Sequence, residues 1–206
     1  MAACTLVELG CGNGRDALWL AGRLALVVAV DQAHSSVSRL TAAVAEHPEL
    51  APHVRFVQAD FTALPRRDEA PLSVASGSGV QCVYARFTLH AVDAPSASRA
   101  LRWAWRELAP GGLLALEARS VLGAMYGQGD AVPGERDAFV LGHYRRFLRR
   151  DEMCAELRQL GFELEHVDER AGLAPYGTDD PVLLRILARK PLAVAATATA
   201  AAAATL

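Results

Sequence analysis

The sequence predicts an α/β domain, a doubly wound and mostly parallel seven-stranded sheet, and three observations carry that expectation. Short apolar runs alternate with helical patterns from the first residues onward. The first run passes through a glycine-rich turn into a helix, and acids follow the next two runs at Asp31 and Asp60. Two strand-like segments come last, after the final helical pattern.

The elements follow in order. Residues 5–9 form a short apolar run that stops at Gly10, as a buried parallel strand should. A helix is expected over 15–23, with Leu18, Trp19 and Ala21 packed on the sheet. Residues 26–30 (LVVAV) read as a second buried strand closed by Asp31, and Ser35 or Ser36 can cap the helix that runs to Glu46 before Pro48. A third strand spans 54–58. Pro, Gly, Ser and charge fill 64–79, which predicts a loop with at most one short helix. A fourth strand over 80–84 and a helix over 96–108, with Leu101 and Trp103 inward, lead to the breaker Pro110-Gly111-Gly112. A fifth strand covers 113–118. Beyond a Gly-rich connector, a helix over 150–160 ends at Gly161, and strands over 162–167 and 182–188 complete the pattern.

Length and composition set limits on function. A chain of 206 residues suits one domain, expected over 1–190, followed by an Ala/Thr-rich low-complexity tail over 191–206. A net charge of −2 gives no basic stripe for nucleic acid, and no apolar run in the folded part reaches the ~20 residues of a membrane helix. Cys4, Cys11, Cys82 and Cys154 are scattered without CxxC or zinc spacing, so no metal is expected. The thiols and the lack of a signal-peptide pattern point to the cytoplasm.

The chemistry concentrates in Glu8-Leu9-Gly10-Cys11-Gly12-Asn13-Gly14. Three alternate glycines between a strand and a helix let a ligand approach backbone N–H groups without a Cβ in the way. Asp31 ends the second strand, where a carboxylate can accept both ribose hydroxyls. Asp60 follows the third, where it can accept from an adenine amino group while Phe61 packs near the ring. Each has a plain structural reading as a turn, a helix cap or a loop acid; as a set they point to a nucleoside cofactor.

With these motifs the chain resembles the class I S-adenosylmethionine-dependent methyltransferases over residues 6–190. VELGCGNGRDALWLA resembles that family's first motif, VVAVD its second-strand acid, VQADF its adenine-side motif, and WRELAPGGLLALEARS its late helix, turn and strand. The resemblance implies a Rossmann-like methyltransferase fold with the last strand antiparallel, and S-adenosyl-L-methionine as cofactor. Glu8 would support the cofactor's amino end, Gly10, Gly12 and Gly14 would flank its methionine part, and Asp31 would hold the ribose, with Gln32, Asp60 and Phe61 completing the binding set. An NAD(P)-dependent oxidoreductase is the rival, since residues 12–17 also fit G-x-G-x-x-A; against it, the strand ends before Gly10, two residues too early for that fit.

Methyl transfer needs an acceptor held in line, and a base only if the acceptor must lose a proton. The fourth strand leads to Arg86 and His90 at the carboxyl edge, and with His143 these are the catalytic candidates. Arg119, Tyr126, Tyr144 and Arg145 are the candidate acceptor contacts, together forming a pocket for a small polar or anionic molecule with a carboxylate, phosphate or hydroxyl. The competing readings are a solvated arginine face, tyrosines in packing, and His90 as a filler of the strand–helix junction. The family usually carries helices before the first strand, which here begins almost at Met1. The cofactor site is therefore expected to be closed by the His143 region, or by a homodimer mate or partner subunit, unless the true start lies upstream. A non-catalytic methyltransferase-like subunit is the alternative of a different class.

Overall fold

A computed structural model describes residues 2–74 and 79–192. The tail expectation falls almost wholly on 193–206 and part of the loop expectation on 75–78, outside the described residues. The chain runs β1 (Ala2–Leu9), α1 (Arg15–Ala21), β2 (Leu24–Asp31), α2 (His34–Ala45), β3 (Val54–Gln58), β4 (Val80–Arg86), a 3₁₀ turn (Leu89–Ala91), α3 (Ala94–Glu107) and β5 (Leu108–Arg119). It continues through β6 (Asp130–Ala131), β7 (Ala138–Leu141), β8 (His143–Arg146), α4 (Arg150–Leu160), β9 (Glu163–Arg170) and β10 (Leu183–Arg189).

Seven strands form one sheet in the order β3-β2-β1-β4-β5-β10-β9, parallel except that β10 runs antiparallel to both neighbours. This is the fold the sequence predicts. The order reverses between β1 and β4, which splays the connections apart at the carboxyl ends of those strands, the usual ligand crevice in such sheets.

The two faces differ. Val7, Val28, Val83, Leu114, Leu116 and Ile186 bury one face against α3, α4 and the 61–74 loop. Leu6, Val27 and Ala29 bury the other against α1 and α2, which cover only the β1–β3 side. Among the described residues no helix covers β5, β10 and β9 on that second face. A groove of about 490 Å³ lies there, with Tyr84, Ala115, Glu117, Arg185 and Leu187 in its lining.

Four local expectations are corrected. Trp19 does not pack on the sheet: it is 58% exposed, with the Arg23 guanidinium stacked 3.8 Å over its ring. Neither Ser35 nor Ser36 caps α2; Ala33 precedes the helix, and its N–H donates to Asp31 at 2.9 Å. The cap of α3 lies at Asp93, which accepts from Ser96 N–H, with Pro95 in the first turn, so that helix starts earlier than its polar face suggests. The Gly-rich connector holds an antiparallel three-stranded sheet, β6-β7-β8. Its strands are two to four residues long, too short for a periodic signal.

Candidate active site

The loop after β1 is pinned to the end of β2 by paired bonds. Cys11 N–H donates to the Val30 carbonyl at 2.9 Å, and Gly12 N–H donates to Asp31 Oδ2 at 2.8 Å. With Asp31 Oδ1 taking Ala33 N–H, one carboxylate organises both the glycine loop and the entry to α2. Gly12 has φ +54 and open space where a Cβ would project, a backbone cradle free of side chains. Gly14 has φ +78, and a Cβ there would strike Leu40 of α2; this glycine serves helix packing.

A cavity of about 190 Å³ opens at this edge, lined by Gly10, Asp31, Gln32, Phe61, Phe87, Thr88 and Ala91. Three of these, Phe87, Thr88 and Ala91, come from the turn after β4, where the sequence singled out only Arg86 and His90. Thr88 Oγ1 donates to the Leu9 carbonyl at 2.7 Å and holds that turn against the glycine loop. Phe87 takes φ +56, uncommon for a bulky residue, with its N–H donating to the Glu117 carbonyl at 2.8 Å. Asp60 stands on the same sheet edge as Asp31, because β3 pairs with β2 and Ala59 N–H donates to the Asp31 carbonyl. The Asp60 side chain is exposed and accepts from Thr62 N–H at 2.8 Å, outside the cavity lining.

Glu8 lies beneath the loop, 4% exposed, and its Oε2 has no hydrogen-bond partner. Burial, with the Asp16 and Asp31 carboxylates beside it, pushes its carboxyl up to about 8. A buried acceptor among acids, next to the open space at Gly12, is suited to a cationic group.

On the other side of the 3₁₀ turn, cations gather. His90 is buried at 7% exposure, its Nδ1 accepts the Arg119 N–H at 3.4 Å, and its ring meets Phe87 edge-on at 5.6 Å. Burial, then the nearby Arg119, Arg145, His143 and Arg146, depress His90 to about 3, so it is neutral at physiological pH. Arg146 donates to the Val92 and Leu89 carbonyls and Arg145 to the Leu141 carbonyl, neither to a carboxylate. Arg119 meets Asp179 at 3.1 Å. Burial and the Arg119 charge also lower Arg145. The strand β8 thus carries His143, Arg145 and Arg146 to the end of β5.

A family model described as a methyltransferase domain matches residues 6–112. The chain belongs to the class I S-adenosylmethionine-dependent methyltransferases. Among curated proteins no sequence match is found. Solved structures agree on the fold of this methyltransferase. A SAM-dependent methyltransferase from Methanosarcina mazei aligns with TM-score 0.75 and 19% identity over 93% of this chain and 94% of that one. One from Mesorhizobium loti aligns with TM-score 0.68 and 19% identity over 91% of each chain. The 1,6-didemethyltoxoflavin-N1-methyltransferase of Burkholderia thailandensis, solved with bound 1,6-didemethyltoxoflavin and S-adenosylhomocysteine, aligns with TM-score 0.66 and 18% identity over 92% of this chain and 72% of that one.

The residues present fit the family's cofactor. The unpartnered Glu8 Oε2 matches an ammonium, the open space at Gly12 admits a ligand chain, and Asp31 with Phe61 lines the cavity beyond.

Several expected acceptor contacts lie elsewhere in the methyltransferase. Arg86 is bound on both sides, by Asp16 at 2.5 Å and Glu117 at 3.8 Å, and Tyr84 O–H joins it on Asp16 at 3.2 Å. It belongs to the ionic lattice between α1 and the sheet rather than to a free anion pocket. Tyr126 donates to Asp137 at 2.6 Å and packs edge-on with Phe139 and Phe147, inside the support of the small sheet. Tyr144 donates to Glu135 at 2.6 Å and is half-buried. Arg149 grips Asp137 with two parallel bonds at 2.8 and 2.9 Å. The GNGRDA stretch does contain Asp16, but only the register of β4 against β1 and β5 shows that it anchors Arg86.

Proposed function

We propose that this methyltransferase modifies a small acceptor carrying a carboxylate or phosphate, held by Arg119, Arg145 and His143 beside the cofactor edge. The observation that carries this reading is the imbalance around His90: three guanidiniums and the His143 imidazole converge there, and Asp179 alone among the described carboxylates forms a salt bridge with them. An anion entering from solvent would meet uncompensated positive charge already in place.

When bound, S-adenosylmethionine supplies an activated methyl carbon. The chain's own residues then align the acceptor and keep water from it. Because His90 Nδ1 accepts from the Arg119 N–H, the neutral ring carries its proton on Nε2. His90 is therefore a hydrogen-bond donor, and the general-base role expected for it is replaced. A site without a base suits an acceptor oxygen that is already ionised.

Gly10 and Gly12 would flank the cofactor's methionine part, and Asp31, Gln32 and Phe61 would hold the adenosyl part, with Asp60 at the rim. The Burkholderia neighbour's bound toxoflavin precursor supports a small-molecule acceptor. The uncovered face over β5, β10 and β9 is where a second copy or a partner chain would close the molecule, and sedimentation with and without S-adenosylhomocysteine tests this. Methyl release from S-adenosylmethionine, measured over carboxylate, phosphate, amine and phenol panels, tests the acceptor class. Turnover confined to amines or phenols would overturn it.

A further inference from the structure

Glu8 presents a problem of charge that the fold itself leaves unsolved. Its carboxyl group is 4% exposed and one oxygen has no hydrogen-bond partner. The groups facing it from each packed element are Asp16 of α1, Asp31 of β2, Tyr84 of β4 and Cys11 of the loop. None is a cation. The nearest guanidinium network, that of Arg86, is spent on Asp16 and Glu117. A third carboxylate in this cluster, taken out of water, is stable only as the neutral acid.

We propose that Glu8 carries a proton in the cofactor-free protein and releases it when the cofactor's ammonium enters the glycine loop. The inference rests on the cofactor assignment and adds a coupling to it. The balance is simple: the Glu8 O–H bond breaks, its electron pair stays on the carboxylate, the proton passes to buffer, and the ammonium keeps its own protons. Binding thus exchanges one positive charge for another beside Asp16 and Asp31.

The sign for folding follows from the same shift. Glu8 binds its proton more tightly folded than unfolded, so cofactor-free stability falls as pH rises from about 5 through about 8. Cofactor affinity moves the other way, weakening up to about tenfold for each unit of pH lowered below about 8.

Titration calorimetry with S-adenosylhomocysteine at pH 6.5, in buffers of differing ionisation enthalpy, should give release of about one proton. At pH 9.5 the release from Glu8 should vanish. Glu8→Gln should bind without proton release at pH 6.5 and should melt higher than the natural chain at pH 9 without ligand. A separate infrared measurement on the natural chain should show a buried protonated-carboxyl band at pH 6.5 that is lost on adding S-adenosylhomocysteine. Binding with no proton release, or the same release from Glu8→Gln, would overturn the proposal. Absence of the infrared band in the ligand-free protein would overturn it independently of any binding. Failure of S-adenosylhomocysteine to bind while that band is present would count against the cofactor assignment instead.

Discussion

The Asp31 carboxylate accepts the Gly12 N–H at 2.8 Å, tying the loop after β1 to the end of β2 across 19 residues of sequence. Its second oxygen takes Ala33 N–H, so the side chain shapes the cradle before any ligand arrives. Asp31→Asn keeps one acceptor and loses the charge; Asp31→Ala loses both bonds. Asp31→Ala should weaken S-adenosylhomocysteine binding by tenfold or more and cost about 1–3 kcal/mol of stability, with Asp31→Asn intermediate in both. Calorimetry and thermal melting check the ordering. Equal affinity in all three proteins would remove Asp31 from the cofactor site.

Gly10 and Thr88 are matched in shape. A Cβ on Gly10 would lie 2.8 Å from Thr88 Cγ2, and the backbone there has φ +69. Gly10→Ala should lower the melting temperature and impair cofactor binding. Thr88→Ser keeps the hydroxyl that bonds Leu9 and removes the methyl, so adding it to Gly10→Ala should restore part of the loss. The backbone strain, about 1 kcal/mol for a residue forced left-handed, should remain. No recovery would place the whole defect in the backbone.

Arg145 and Arg86 should behave in opposite ways. Arg145→Ala and His143→Ala should raise the acceptor KM or lower kcat/KM by about tenfold to a hundredfold, the size of one charge-assisted hydrogen bond. Binding of S-adenosylhomocysteine should stay within about twofold of the natural chain. Arg86→Ala leaves Asp16 and Glu117 without their shared cation, so its main effect should be on thermal stability. A stable Arg86→Ala protein with a selective loss of turnover would return Arg86 to the acceptor pocket.

Asp137 tests the scaffold behind the acceptor side. It accepts from Tyr126 and from both Arg149 nitrogens, and its backbone has φ +63. The bonds from Arg149 hold its carboxyl below the usual carboxylate range. Asn tolerates the same backbone, so Asp137→Asn removes charge without adding strain. Melting temperature should fall, and the acceptor KM should rise because β8 carries His143 and Arg145. Cofactor affinity should be unchanged, as read by calorimetry. A drop in that affinity would mean the small sheet also shapes the cofactor cavity.

The amino-acid sequence by itself determined the alternation of strands and helices and the glycine loop, because each is written in local signals. Apolar runs bounded by Gly mark buried strands, and three alternate glycines between Glu8 and Arg15 mark a backbone that must admit a ligand. The register of parallel strands then carries Asp31 and the residues after β3 to one edge, which is why that part of the site was legible. What only the tertiary structure decided is which charges are already spent. Arg86 and Arg145 look alike as isolated residues, yet Asp16 comes from 70 positions away to meet one of them, and the other meets only a carbonyl. Pairing across a fold depends on distances that no local pattern encodes. The same holds for Thr88 against Gly10, for the short strands β6 to β8, and for the empty oxygen of Glu8.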